Sequence, residues 1–200
     1  MPRPFAAGER ELLKQKLRSF ARRRIEAAGV RTMSISDLTR QVGISKGAFY
    51  LLYESKDQLV MEVLGEVEDE LRSTLSEVAG DRSGAPVDVM TTVVRALFDA
   101  VGNHPVLALL ADPDEGPHIF RMIPPDEMEE RMADDDRWFA ELAADLRADG
   151  VLAPDVGDDI LAGIARLALT VRRDPDLRRH RHLVDILCES LGARLGGDSR

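Results

Sequence analysis

Three closely spaced helix starts in residues 34–58 constrain the fold more than any other feature of this chain. The stretch reads SISDLTRQVGISKGAFYLLYESKDQ. Serine is favoured at the cap of a helix, and Ser34, Ser45 and Ser55 each stand before a helix-forming segment. The first and third are followed three residues later by Asp and Gln, which completes a capping box. Gly43 ends the first helix, where the chain needs a left-handed residue. Two short helices this close together predict a helix-turn-helix.

The rest of the chain also has helical periodicity. Apolar residues recur at every third or fourth position in residues 9–29 and 55–78, and similar segments continue behind a polar loop at 79–86. We find no strand pattern and no internal repeat. The sequence therefore predicts an all-α fold of about nine helices. It divides into a three-helix, helix-turn-helix DNA-binding domain (residues 1–58) and a helical ligand-binding and dimerisation domain (residues 59–200).

Charge is distributed unevenly between these two parts. The whole chain has a net charge of -9, yet residues 1–60 hold 12 Lys and Arg against 6 Asp and Glu. The remaining 140 residues hold 15 against 30, by difference from the totals of 27 and 36. A basic end is a candidate for binding a polyanion, whereas nucleic acid would repel the acidic body.

The third helix offers the residues that fit a polyanion. Lys46 opposes the helix dipole at the N-terminus, so it gains little in isolation but much opposite a phosphate. Tyr50 and Tyr53 offer hydroxyl groups to phosphate oxygens, and Lys56 adds a cation beside the free N–H groups of the next helix. Two small residues before Tyr50 allow close approach, and Ala48 or Leu51 is placed to meet a thymine methyl group. The alternative is that the lysines are solvated and the tyrosines belong to the core.

The segment MSISDLTRQVGISKGAFYLLYESKDQLV, preceded by an amphipathic helix, resembles the DNA-binding domain of the TetR family of transcriptional repressors. The resemblance covers residues 10–63. It is carried by Gly43, Ser45-Lys46-Gly47, Phe49-Tyr50, Tyr53 and Ser55-Lys56, and it departs at Thr39, where the family usually has alanine, and at Leu52.

The resemblance implies contacts to DNA from Ser34, Lys46, Gly47, Tyr50, Tyr53 and Lys56. It also implies a homodimer, formed through the two C-terminal helices, on near-palindromic double-stranded operator DNA, with release on binding a small molecule. Combining residue chemistry and resemblance, the expected DNA-binding residues are Ser34, Ser45, Lys46, Gly47, Ala48, Tyr50, Leu51, Tyr53 and Lys56.

The body supplies apolar side chains near helix breaks, where a ligand cavity is expected. The same side chains would equally serve as ordinary core. We expect an apolar small-molecule effector, with a cation favoured over an anion by the surrounding acid, bound by Phe98, Leu107, Phe120, Met122, Trp138 and Phe139. The last two helices carry enough apolar surface to require a partner, and a charge at Leu187 is expected to disrupt it.

Other function classes find less support. No motif of hydrolases, kinases, metalloproteases or dinucleotide enzymes is present, so no catalytic residue, cofactor or metal is expected. Cys188 stands alone and is read as a core residue. The apolar run ILAGIARLALTV is too short to span a bilayer, and a soluble, cytoplasmic protein is expected. The alternatives are a helical adaptor whose basic end binds protein or anionic membrane without reading sequence, and an enzyme using a pocket in the body.

Overall fold

The computed structural model describes residues 7–197, without the side chains of Ala7, Arg178 and Arg181. This part of the chain forms ten α-helices and one 3-10 turn and contains no strand, which confirms the all-α prediction. The count of ten is one more than the nine or so helices expected from the sequence. The helices are α1 (Ala7–Ala28), α2 (Ile35–Val42), α3 (Lys46–Tyr50), α4 (Lys56–Gly80), α5 (Pro86–Asn103), α6 (Pro105–Leu110), α7 (Gly116–Phe120), α8 (Pro125–Ala148), α9 (Ile160–Arg173) and α10 (Arg181–Leu195).

The predicted caps form as hydrogen bonds. The hydroxyl oxygens of Ser34, Ser45 and Ser55 each accept a backbone N–H from three residues further on. Gly43 ends α2 with φ of 78°, a left-handed conformation that favours glycine. These local bonds fix where α2, α3 and α4 begin, and the helix-turn-helix follows from them.

The structure has two hydrophobic cores, and α4 passes from one to the other. The first core joins α1–α3 and the first half of α4 to α6 and α7, and its fully buried side chains include Leu17, Phe49 and Ile119. The second joins the last part of α4 to α5 and α8–α10. Cys188 is buried in this second core, where burial raises the pKa of its thiol. The cores therefore divide along α4 instead of at residue 58.

An ionic ladder binds α1 to the face of α4 that lies against it. Lys14 Nζ lies 3.0 Å from Glu62 Oε1, and Arg18 lies 3.3 Å from Glu62 Oε2 and 2.6 Å from Glu66 Oε1. One turn further along both helices, Arg22 Nη2 donates to Glu70 Oε2 at 2.8 Å. The cations on α1 and the acids on α4 both recur every four residues. All three cations therefore find an acid on α4 in this register, and a shift of either helix by one turn would leave at least one cation without an acid. The ionic ladder consists of Lys14, Arg18, Arg22, Glu62, Glu66 and Glu70.

A second connection joins the end of α1 to the loop before α7. Glu115 Oε2 accepts the backbone N–H groups of Val30 at 2.8 Å and Arg31 at 3.2 Å. The next residue, Gly116, is buried, and a Cβ atom there would lie 2.5 Å from the carbonyl oxygen of Leu110. The backbone at residue 116 thus lies too close to the end of α6 for any residue but glycine. This close approach positions the Glu115 carboxylate, which holds the end of α1 in place.

Within residues 7–197, no helix combines the length and the apolar content needed to cross a membrane.

Candidate DNA-binding surface and ligand cavity

Helix α3 presents one face to solvent and buries the other. Phe49 is fully buried in the first core, whereas Lys46 and Gly47 are exposed and Tyr50 is 56% exposed. Leu51, which follows α3, is 43% exposed, a large fraction for an apolar side chain. The exposed face therefore carries a cation, a phenol and an apolar group on a rigid, well-anchored helix. Of the other expected contacts, Ser45 is exposed, and Ala48 and Ser34 are half-buried.

Tyr53 is buried inside the domain. Its side chain is 1% exposed, and its hydroxyl donates a hydrogen bond to Glu62 Oε2 at 2.8 Å. Lys14 Nζ lies 4.7 Å from the ring centroid. Burial, together with the bond to Glu62, raises the pKa of Tyr53 well above its usual value. Its hydroxyl therefore joins the ionic ladder, and the structure does not place it where we expected a phosphate contact.

Lys56 is also engaged within the domain. Its Nζ lies 3.4 Å from the carbonyl oxygens of both Val30 and Met33, and the side chain is half-buried. These carbonyls belong to the connection between α1 and α2, so Lys56 ties the start of α4 to the start of the helix-turn-helix. It remains beside the N-terminus of α4, but its charge is directed partly inward.

The electrostatics of the basic end differ from the residue count. Lys14, Arg18 and Arg22 are neutralised by acids that lie beyond residue 60, in α4. Despite the burial of its carboxyl group, the pKa of Glu62 is lowered by Lys14, Tyr53 and Arg18, so Glu62 stays ionised. Positive charge on the outer face is consequently concentrated on fewer residues, among them Lys46.

A cavity of about 280 Å³ lies between α4, α6, α8 and α9. Of the six expected ligand-binding residues, Leu107, Phe120 and Phe139 line it. Arg173 packs over the Phe120 ring, with 5.2 Å between its guanidinium carbon and the ring centroid. The other apolar lining residues are Met61, Leu64, Leu110, Ile123, Met128, Met132, Ala162, Ala165 and Leu169.

The other three expected ligand-binding residues lie elsewhere. Phe98 is buried in the second core. Trp138 packs edge-on against Phe139, at 4.9 Å between ring centroids, and thus lies behind the cavity wall. Met122 lies at a separate surface depression beside the start of α4. These three residues therefore do not line the cavity, because neighbouring positions on a helix face different directions, which the sequence does not resolve.

Comparison with known proteins identifies the family. Residues 17–63 match the family described as bacterial regulatory proteins, tetR family. Over 160 residues the chain is 27% identical to the HTH-type transcriptional repressor KstR2 of Mycolicibacterium smegmatis. The match covers 80% of this chain and 75% of that protein. The chain is recognised as a TetR-family regulator by this N-terminal match over residues 17–63. It is a transcriptional regulator, in agreement with the expectation that it is not an enzyme.

The fold of this TetR-family regulator is shared by solved structures at low sequence identity. A TetR-family regulator from Pectobacterium atrosepticum has a TM-score of 0.75 at 17% identity, covering 98% of this chain and 100% of that one. The reduced form of NemR from E. coli has a TM-score of 0.65 at 14% identity, covering 94% and 99%.

Sequence reasoning missed a charged wall in the cavity of this TetR-family regulator. Glu68 of α4 accepts a hydrogen bond from Arg131 of α8 at 3.0 Å, and Asp135 accepts one from Arg72 at 2.6 Å. Burial raises the pKa of Glu68; Arg131 and Arg72 oppose this effect, and the charges of Asp135 and Asp69 add to it. At the mouth, Arg166 pairs with Asp136. One signal was present: Met61, Leu64 and Glu68 are spaced three and four residues apart, which places them on one face of α4.

Helices α9 and α10 each expose a large apolar side chain. Ile186 of α10 is 58% exposed and Leu167 of α9 is 38% exposed, and beyond its own stretch of helix nothing lies within 4 Å of the Cβ position of Gly163. Leu187, in contrast, is half-buried and packs against the second core of its own chain. An apolar side chain as exposed as Ile186 gains stability only when something covers it.

Proposed function

We propose that this TetR-family regulator binds near-palindromic double-stranded operator DNA as a homodimer and is released when a small molecule occupies the cavity. The observation that carries the proposal is α3, which exposes Lys46, Tyr50 and Leu51 while Phe49 anchors it in the core. A cytoplasmic location is part of this proposal, because the operator would be reached there. Functionally, residues 1–58 would contact DNA and residues 59–200 would bind ligand and dimerise, with α4 shared between the two cores.

The proposed contacts are of two kinds. Lys46, Tyr50 and the hydroxyl of Ser45 are positioned to bind phosphate oxygens, which fixes orientation but reads no sequence. Gly47 keeps the helix slim, so that Ala48 and Leu51 approach base edges in the major groove. The N-terminus of α2, capped by Ser34, offers backbone N–H groups to another phosphate. Lys56 and Tyr53 would act in support, by holding α4 against the helix-turn-helix.

Selection of bound fragments from random DNA tests this function. We expect the selected fragments to share two inverted half-sites whose centres lie about one DNA turn, roughly 34–36 Å, or a multiple of it apart. The half-sites reflect the two-fold symmetry of the proposed dimer. Recovery of fragments without a shared sequence would instead indicate a polyanion-binding adaptor and would refute operator recognition.

The proposed switch runs through α4, which has two working faces. Met61, Leu64 and Glu68 face the cavity, while the face against α1 carries the ionic ladder. A ligand that moves the cavity face therefore moves the ladder and, with it, α1 and the helix-turn-helix. The Glu115 contact to the end of α1 gives a second connection from the body to the same domain.

Ligand binding and operator binding are expected to oppose each other. A coupling free energy of about 1–3 kcal/mol would reduce operator affinity roughly 5–150-fold, and operator must then reduce ligand affinity by the same factor. The measurement is calorimetric titration of a ligand confirmed by thermal shift, with and without the selected operator. Equal ligand affinities in the two titrations would contradict the switch.

A further inference from the structure

The cavity has an apolar wall and a charged wall, and their arrangement restricts its ligand. Phe120, Phe139 and Met61 are among the apolar lining residues, and the same cavity is lined by three carboxylates and two guanidinium groups. Glu68 and Arg131 are more enclosed, with side chains 34% and 27% exposed. Asp135 and Asp136 are about half exposed, at 49% and 50%, and stand at the mouth. The charged groups are Glu68, Asp135, Asp136, Arg131 and Arg166.

Two neighbouring carboxylates of the lining, Glu68 and Asp135, each keep one oxygen without an arginine partner among the described residues. Arg131 donates from Nη1 to Glu68 Oε2 and from Nε to Glu127 Oε1. Arg166 is paired with Asp136. Among the described residues, Glu68 and Asp135 each accept an arginine on one carboxylate oxygen only. Two carboxylate oxygens are therefore available to accept hydrogen bonds from a donor on the ligand.

Charge points the same way. The lining carries one more carboxylate than guanidinium group. Burial raises the pKa of Glu68 even though Arg131 and Arg72 oppose this effect, so its negative charge is incompletely compensated. A cation on the ligand would supply the missing compensation, whereas an anion would add negative charge beside the three carboxylates of the lining.

We propose that the effector is a compact apolar amine whose ammonium group pairs with Glu68 and Asp135 while its hydrocarbon part lies against Phe120 and Phe139. The inference rests on the proposed ligand response and names its chemical class. The volume of 280 Å³ equals that of about nine waters, at roughly 30 Å³ each. A single aromatic ring with a short chain fits this space.

Three probes with one carbon skeleton test the charge directly: phenylbutylamine, phenylbutanol and phenylbutyrate. Calorimetry on the full chain at neutral pH is expected to show the amine binding at least about tenfold more tightly than the alcohol, since a hydrogen bond to a charged group is stronger than a neutral one. The carboxylate is expected to bind more weakly than the alcohol. In Glu68→Gln the preference for the amine should fall to about threefold or less, while alcohol affinity stays unchanged.

Glu127→Gln is the matched control, because it removes the other carboxylate partner of Arg131 and does not line the cavity. It should keep the amine preference.

If Glu68→Gln fails to fold, Asp135→Asn at the half-exposed mouth provides the same test and leaves Arg131 untouched. Stronger binding of phenylbutyrate, an amine preference that survives in both variants, or no binding by any probe would overturn the inference. Operator binding by the same samples separates the two proposals. If the wild type binds operator but shows no preference for the amine, only the inference about the effector is wrong. If the wild type does not bind operator, the proposed function is wrong.

Discussion

Replacing Ile186 with aspartate is expected to convert the regulator to a monomer without unfolding it. The side chain is 58% exposed on α10, so a charge there costs a folded monomer little. In a two-fold interface each dimer buries the substitution twice. At a cost of at least about 2 kcal/mol for each uncompensated group, association should fall roughly 1000-fold, because 1.4 kcal/mol corresponds to a factor of ten.

Light scattering and analytical ultracentrifugation at micromolar concentration measure this effect, and circular dichroism confirms that the helices remain. The control is Leu12→Asp, which places the same charge at a 50% exposed leucine of α1 and should leave the dimer intact. Ile186 is a better site than Leu187, because Leu187 also packs inside its own protomer. A wild-type monomer, or an Ile186→Asp dimer of unchanged affinity, would refute the proposed interface.

Replacing Lys46 with alanine is expected to weaken operator binding about 100-fold at moderate salt. A hydrogen bond from a charged group contributes about 1.5 kcal/mol, and the substitution removes one such bond from each subunit of the dimer. The slope of log affinity against log salt should become less steep by about 1.8, since each phosphate contact contributes about 0.9. Thermal stability should hardly change, because the Lys46 side chain is exposed and makes no hydrogen bond or ion pair with another described residue.

The control for Lys46 is Arg137→Ala in α8, which removes one exposed positive charge outside the helix-turn-helix. It changes net charge equally but should leave the salt slope unchanged. Fluorescence anisotropy across a range of salt concentrations gives both slopes. If Lys46→Ala and wild type had the same slope, Lys46 would not be a phosphate contact.

The helix-turn-helix could be predicted in detail because its signals are local. Each of the three serine caps bonds an N–H group only three residues away, so the residue type and its spacing decide the outcome. Gly43 likewise depends on its own backbone conformation. The family resemblance used this same stretch, which explains why it led to the correct fold.

Tyr53 and Lys56 show where local reasoning ends. Both have the chemistry of a phosphate contact, and both lie close in sequence to Tyr50. Tyr53 instead meets Glu62 of α4, and Lys56 meets backbone carbonyls 26 and 23 residues earlier. A partner supplied by tertiary packing is not written in the spacing of the residues it engages. The same holds for the charge of the basic end, part of which is neutralised by α4.

The cavity was predictable as a feature of the body but only half of its expected residues line it. Phe139 faces the cavity and its neighbour Trp138 does not, and this difference depends on the rotation of α8 about its axis. The charged wall requires α4, α8 and α9 to meet in one place. Residues such as Glu68 and Arg131 read in the sequence as ordinary solvated positions on helical surfaces.

The ionic ladder also limits which pieces of this protein can be exchanged with relatives. A hybrid joined at residue 58 would take Lys14, Arg18 and Arg22 from one parent and their glutamate partners from the other. Unless the second parent carried acids at the same four-residue spacing, three partly buried cations would lose their partners on α4, and α1 would lose its register on that helix. A graft intended to give this regulator a new operator specificity should therefore extend through Glu70. The transplanted recognition helix would then keep the face of α4 that fixes its orientation.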